Sequence, residues 1–152
     1  MTGFLGYQIE IRSSYQCYFN SLEKKHYGKK ARPKDKQEFR ELVFSFLKSF
    51  ESEGDAPVCH GRKMEFPKKV CSAGFLLYKK SWAKLPGLEG KSKCGRLIYL
   101  ECTEQRLILP LCIYTHAEWE KQVSAKELTS LIVEAQGWAA TRDSRQVRPG
   151  SL

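Results

Sequence analysis

Three apolar, strand-like runs follow one another in the second half of the chain, and they constrain the fold more than any other feature. They cover residues 74–82, 96–102 and 106–114. Each run is short, rich in aromatic and branched side chains, and bounded by glycine, proline or polar residues, as strands of a sheet are. Because the three strands follow one another in the chain with no predicted helix between them, we predict an antiparallel meander. Pro110 has no backbone N–H, so we expect the last strand to be irregular there.

Before these strands, the sequence predicts one strand and two helices. Residues 7–12 alternate between apolar and polar side chains, which indicates a strand. From residue 13 to Leu22 the apolar residues follow helical spacing, which predicts a short helix. Pro33 can open a longer helix, whose apolar stripe runs through residues 39–50. Between residues 55 and 72, two prolines, a glycine and the lack of a sustained period predict an irregular connection with room for a short strand.

A third helix is predicted after the meander. Ser124 followed by Glu127 has the spacing of a capping box, and the apolar residues from Leu128 onward then follow helical spacing. The order strand, two helices, three strands, helix belongs to the α+β class. We predict a single domain over residues 1–136, followed by a polar, basic and flexible C-terminal tail over residues 137–152.

The positive charge of the chain is concentrated in one window. Residues 60–96 contain ten Lys and Arg against two Glu, so this window carries +8 of the formal net charge of +9. Tyr78, Trp82 and Tyr99 lie among these cations. Basic and aromatic residues together favour binding of a polyanion such as nucleic acid. A plain solvated basic surface is the alternative that charge alone leaves open.

The sequence predicts neither a membrane segment nor a cofactor. No run approaches the roughly 20 apolar residues that a membrane span needs, and the first residues do not have the order of a signal peptide. We therefore expect a cytoplasmic protein whose six cysteines are reduced. No Cys-x-x-Cys pair occurs, so we expect no metal site and no cofactor.

Several short motifs occur together in a recognisable order. They are Gly90-Lys91-Ser92, Gly95-Arg96, Ile98-Tyr99 and Ile113-Tyr114, within YKKSWAKLPGLEGKSKCGRLIYLE and RLILPLCIYTH, followed by the helix VSAKELTSLI. With this order of elements, the chain resembles the RelE/ParE superfamily of bacterial toxins and is most similar to its RelE-like branches. By motif, the resemblance covers residues 75–135.

The resemblance implies a function. Members of this family are small ribonucleases, often dependent on the ribosome, that a partner antitoxin neutralises, whereas the ParE branch acts on gyrase. It therefore implies a metal-independent endoribonuclease toxin that cleaves mRNA, free or on the ribosome, and that has an acidic antitoxin as partner. The alternatives are a RelE-like module that binds RNA or the ribosome without cleaving, and a toxin of the ParE type that acts on a protein.

The resemblance also implies a catalytic set. Arg96 matches the strand arginine of the family and would stabilise phosphate, while Lys79 matches its lysine before the Trp. His116 follows the final strand, where an imidazole can serve as acid or base. Tyr114 would stack on a base or donate to phosphate. The alternatives are a core Tyr114, a surface His116, and an Arg96 that covers the sheet end or pairs with Glu101 or Glu65.

Further residues are predicted to bind RNA through charge or stacking: Arg62, Lys80, Trp82, Lys91 and Lys93. Neighbouring residues on a strand point to opposite faces, so at most one of Lys79 and Lys80 is expected in a shared groove.

Overall fold

The computed structural model describes residues 6–52, 61–119 and 123–150, with side chains described as far as Arg142. In chain order, its elements are strand β1 (Gln8–Ile9), helix α1 (Ser13–His26), helix α2 (Pro33–Ser52), strands β2 (Arg62–Met64), β3 (Phe75–Trp82), β4 (Gly95–Cys102) and β5 (Leu107–Thr115), and helix α3 (Ala125–Gly150). A short 3-10 helix, Gly90–Lys93, lies between β3 and β4.

The strands form one mixed sheet in the order β1-β5-β4-β3-β2. β3, β4 and β5 form the predicted antiparallel meander, and β2 pairs antiparallel with β3. β1 pairs with β5 in parallel, with Gln8 opposite Leu107. The α+β class is therefore confirmed. The predicted layout had four strands, whereas the described residues form five, and the sheet is mixed.

Both faces of the sheet are covered by helices. Helices α1 and α2 form a helical hairpin that packs on one face of the sheet, called the hairpin face below. This face carries Tyr78, Leu97, Tyr99, Ile108 and Ile113. The α3 face, which carries Leu77, Ile98, Leu100, Leu109, Cys112 and Tyr114, packs with α3. This double covering explains why β4 and β5 are continuous apolar runs and not alternating ones, since nearly every position is buried.

The first strand is shorter than predicted. It ends at Ile9, and α1 begins at Ser13. The guanidinium of Arg12 turns towards α3, where it binds Glu134. Because the chain leaves the sheet after Ile9, Ile11 is not part of a buried strand face and is 46% exposed. The alternating pattern of residues 7–12 therefore extends beyond the strand that the structure shows.

The predicted irregularity of β5 is confirmed. Ile98 stands opposite Cys112, whereas the next residue of β4, Tyr99, stands opposite Pro110, so Leu111 is an extra residue in the ladder. Two residues on one strand opposite one on the other are a β-bulge, a feature that tolerates proline because it interrupts the regular bonding.

Helix α3 begins at the predicted cap. The backbone N–H of Glu127 donates to Oγ of Ser124 at 3.2 Å. The helix continues past residue 136, where the sequence predicts a flexible tail to begin. Ala139 is 1% exposed, and its carbonyl oxygen accepts a hydrogen bond from Gln105 Nε2 at 3.0 Å. The packing of α3 against the rest of the domain therefore extends beyond residue 136, the predicted end of the domain. Residues 151–152 of the predicted tail lie outside the described ranges.

The predicted stripe of α2 lies in the core. Phe39, Val43, Leu47 and Phe50 are buried, at spacings that place them on one side of the helix. None of the helices in the described ranges is long and apolar enough to cross a membrane. Of the irregular connection predicted between residues 55 and 72, residues 55–60 lie outside the described ranges, and β2 forms in the remainder.

Phe39 holds the two helices of the hairpin together, so its truncation should destabilise the fold. Its ring is fully buried and stacks on Phe19 at 5.4 Å and on Tyr27 at 4.8 Å between centroids. We expect Phe39→Ala to lower the free energy of unfolding by about 3–5 kcal/mol in urea denaturation. Phe44→Ala is the matched control on the same helix, since Phe44 is 63% exposed. We expect it to change stability by less than about 0.5 kcal/mol.

Candidate functional site

Three cationic side chains lie on one face of the sheet, one on each of three neighbouring strands. Arg62 of β2 stands directly opposite Lys79 of β3. Arg96 of β4 stands opposite Ser81, which is two residues beyond Lys79. Directly opposite residues, and residues two apart on a strand, share a face. Arg62, Lys79 and Arg96, called the cationic cluster below, therefore lie together on the α3 face, where β3 ends and β4 begins.

The charges of the cationic cluster repel one another. Lys79 is half-buried, and burial lowers the pKa of its ammonium group, with further lowering by the charges of Arg96 and Arg62. Among the residues that the structure describes, none of the three forms a salt bridge with a carboxylate. The cluster is therefore a region of uncompensated positive charge, which attracts anions.

Arg96 is not held by the carboxylate of Glu101. Glu101 stands opposite Ile108 and belongs to the hairpin face, where it accepts a hydrogen bond from the Tyr7 hydroxyl at 2.7 Å. The half-buried Arg96 donates from Nη1 to the carbonyl oxygen of Gly95 at 3.0 Å. A guanidinium has five N–H donors, so this bond leaves donors for a ligand. Two of them can engage two oxygens of one phosphate.

Tyr114 is a core residue. It stands opposite Arg96, is 1% exposed, and packs edge to face on Trp119 with 5.3 Å between ring centroids. Burial raises the pKa of its hydroxyl to about 12. A ring in this position cannot stack on a base and its hydroxyl cannot reach a phosphate. The predicted RNA contact of Tyr114 is therefore corrected: the residue supports the strand beside Arg96 from within the core.

His116 lies at the same end of the sheet as Arg96. It is the first residue after β5, is half-buried, and donates from its backbone N–H to the carbonyl oxygen of Cys94 at 3.0 Å. Since Cys94 immediately precedes β4, this bond extends the β4–β5 ladder by one position. The structure thus places His116 two residues from Arg96 across the ladder, and its catalytic role remains a prediction.

Lys80 and Trp82 lie on the opposite face from the cationic cluster. The Lys80 ammonium is 5.4 Å from the ring centroid of Phe46 and 5.7 Å from that of Trp82. Trp82 also packs edge to face on Phe46, with 5.8 Å between centroids. Both residues are therefore engaged with α2. The structure separates them from Lys79 and Arg96, as strand alternation predicts for Lys79 and Lys80, and the binding of RNA by Lys80 and Trp82 stays a prediction.

Lys91 and Lys93 lie in the 3-10 helix before β4, where Lys91 is exposed and Lys93 is half-buried. A carboxylate is nearby. Lys84 forms an ion pair with Glu89 at 2.9 Å, and this bond and charge, with a smaller effect of Lys93, hold the pKa of Glu89 below its ordinary value. The positive charge of this connection is therefore partly balanced, in contrast to that of the cationic cluster.

One group of interacting residues has no counterpart in the sequence-based predictions. Glu118, in the turn after β5, binds His26 at the end of α1 with Nε2 and Oε2 2.8 Å apart, and it also binds Thr115. His26 and Glu118 are 92 positions apart in the chain. No local motif links them, so the sequence carries no signal for this contact.

Within the described ranges, no group of three or more His, Cys, Asp or Glu could hold a metal ion.

Comparisons with known proteins assign the chain to no family. No model of a known protein family matches the chain. No curated protein matches it. Among solved structures, a mutant of the E. coli toxin RelE in the free state is 11% identical, with a TM-score of 0.37 over 82% of this chain and 95% of that chain. Values this low do not establish a shared family or function, so the properties of the site rest on its own residues.

Removing the charge of Arg96 should raise the pKa of Lys79. We expect Arg96→Gln to move this pKa towards the ordinary value of lysine without reaching it, because burial is the larger cause of the shift and is unchanged. The measurement is an NMR titration of the Lys79 side chain. Lys80→Gln, which removes the same charge from the opposite face, is the control and should leave the pKa of Lys79 in place. An unchanged pKa in Arg96→Gln would contradict the proximity of the two cations.

Proposed function

We propose that the chain binds RNA through the cationic cluster and cleaves it without a metal ion. The observation that carries this proposal is the convergence of Arg62, Lys79 and Arg96 on one sheet face with no carboxylate salt bridge among the described residues. Three mutually repelling cations cost free energy unless an anion occupies the space between them. The phosphodiester backbone of RNA is such an anion, and it supplies negative charges at regular spacing.

The cleavage chemistry divides among three residues. The 2′-oxygen attacks the adjacent phosphorus while its proton passes to the neutral amine of Lys79, whose lowered pKa makes that form more accessible than in an ordinary lysine. Arg96 stabilises the charge on the phosphoryl oxygens. The bond from phosphorus to the 5′-oxygen then breaks, and His116 donates a proton to that oxygen from Nδ1, because its Nε2 is buried. The products are a 2′,3′-cyclic phosphate and a free 5′-hydroxyl.

The proposed cellular role is that of an mRNA-cleaving toxin. A surface that cleaves RNA must be masked in its own cell, and an acidic partner protein would complement the charge of the cationic cluster. We therefore propose an acidic antitoxin as partner, with cytoplasmic mRNA as substrate, either free or on the ribosome. The support is the charge of the described surface together with the sequence motifs at residues 90–99 and 113–114.

A second candidate function is RNA binding without cleavage. The burial of Tyr114 favours it, since this residue is removed from the set of groups that could contact substrate. In such a module the cationic cluster would hold RNA or the ribosome, and no bond would break.

Cleavage by purified protein separates these functions. We expect the wild type to cleave single-stranded RNA in the presence of EDTA. Arg96→Ala should slow single-turnover cleavage by about 10²–10³-fold. Lys79→Ala and His116→Ala should slow it by about 10²–10⁴-fold. Lys34→Ala is the matched control, because Lys34 is an exposed cation on α2 that pairs with Glu38. It should cleave at the wild-type rate.

The dependence of binding on salt provides the second measurement. The logarithm of the wild-type affinity for RNA should fall against the logarithm of the salt concentration by about 0.7 for each phosphate contact on a single strand, and Arg96→Ala should reduce the total slope by removing a contact. Salt-dependent binding without any cleavage would support the binding module. Absence of both cleavage and binding would rule out both functions.

In cells, expression of the wild type without an antitoxin should stop growth and shorten transcripts, whereas expression of Arg96→Ala should do neither.

A further inference from the structure

The carboxylate of Glu118 collects four donors from two parts of the chain. Its Oε1 accepts hydrogen bonds from the backbone N–H and the hydroxyl of Thr115, at 2.8 and 2.9 Å. Its Oε2 lies 2.8 Å from Nε2 of His26 and 3.1 Å from Nζ of Lys25. Lys25 and His26 form the end of α1, whereas Thr115 is the last residue of β5. A single side chain thus ties the helical hairpin to the turn after the sheet.

The turn that Glu118 closes contains His116. On one side of His116, Thr115 is bonded to Glu118 through both its backbone and its side chain. On the other side, the N–H of Ala117 donates to Oγ1 of Thr115 at 3.1 Å, and the N–H of Glu118 donates to the Thr115 carbonyl oxygen at 3.1 Å. The backbone on both sides of His116 is therefore held by hydrogen bonds that converge on Thr115 and Glu118.

The group does not have the exposure of a separate catalytic site. Thr115 is fully buried, so no substrate can reach its hydroxyl, and the side chain of His26 is only 10% exposed. Burial alone would raise the pKa of Glu118. The hydrogen bonds from His26, Thr115 and Lys25 outweigh burial, so this pKa is lowered. Glu118 is therefore a carboxylate at neutral pH, and the arrangement fixes the positions of the residues around it.

We propose that Glu118 is a positioning residue that holds His116 at the end of the sheet beside Arg96. The proposal rests on the proposed function, in which His116 protonates the leaving 5′-oxygen. Proton transfer requires the donor within hydrogen-bond distance of the leaving atom, and small displacements of a reacting group reduce rates steeply. Without Glu118, the turn loses its link to α1 and the acceptor of the Thr115 N–H. His116 then occupies the productive position for a smaller fraction of the time.

The test is a double-mutant cycle on cleavage. Glu118→Ala should slow single-turnover cleavage by about 10–100-fold. In the His116→Ala background it should have no further effect, because the group that it positions is gone. Binding of 2′-O-methyl RNA, which lacks the attacking hydroxyl, should be unchanged in all variants. Glu134→Ala is the control: Glu134 also joins the first part of the chain to a later one, through Arg12 and Ser14, but it has no link to this turn.

A conservative variant and an activated substrate sharpen the test. Glu118→Gln can keep the two bonds from Thr115 through its amide oxygen, so its rate should lie between those of the wild type and Glu118→Ala, and it serves as the test variant if Glu118→Ala does not fold. A ribonucleotide with a 4-nitrophenyl phosphate ester at its 3′-oxygen needs no proton on its leaving group. On this substrate, Glu118→Ala and His116→Ala should both cleave at close to the wild-type rate.

Three results would overturn the proposal: equal rate losses from Glu118→Ala in the wild-type and His116→Ala backgrounds, a parallel loss of RNA binding, or an undiminished defect on the nitrophenyl substrate. If the wild type does not cleave RNA at all, the proposed function fails, and the positioning role is then tested alone by ¹³C NMR relaxation of the His116 ring. Greater ring mobility in Glu118→Ala than in Glu134→Ala would support positioning, and equal mobility would reject it.

Discussion

The alternation of side chains along β3 and β4 determines where every other feature of the site lies. Because helices cover both faces of the sheet, each strand residue is directed towards one of two cores, and shifting by one residue exchanges the faces. Lys79 is directed to the α3 face with Arg96, whereas Lys80 is directed to the hairpin face and contacts Phe46. The same constraint places Glu101 on the hairpin face, away from Arg96, and thereby leaves the cationic cluster without that carboxylate.

Local signals in the sequence predicted much of the fold. The capping residue Ser124, the apolar stripe of α2 and the three strand-like runs each depend on residues close together in the chain, and all of these elements are present. Long-range pairing was not predictable in this way. β1 is parallel to β5 across about a hundred positions, with Gln8 opposite Leu107. β2 was predicted without definite bounds because its residues, Arg62–Met64, are mostly charged and do not show an apolar alternation.

In the candidate site, too, contacts between neighbouring strands could be predicted from the sequence, whereas long-range contacts could not. Lys79 and Arg96 are close because β3 and β4 are consecutive antiparallel strands, a relation that the sequence predicts. The sequence left open whether Tyr114 contacts RNA or belongs to the core, and the structure places it in the core. The bond between His26 and Glu118 depends on how α1 packs against the end of β5, which no local pattern encodes. The proposed catalysis would depend on both: on strand order, which brings the cations together, and on long-range packing, through which Glu118 holds the turn that contains His116.

The proposed function requires that an RNA phosphate binds on the α3 face, at the cationic cluster. The most direct measurement is an NMR titration of the side chains with a short 2′-O-methyl RNA, which binds without being cleaved. We predict that the resonances of Arg62, Lys79 and Arg96 shift together and saturate at one RNA concentration, while those of Lys80 and Trp82 on the hairpin face do not move. Shifts confined to Lys80 and Trp82, with an unperturbed cationic cluster, would contradict the account.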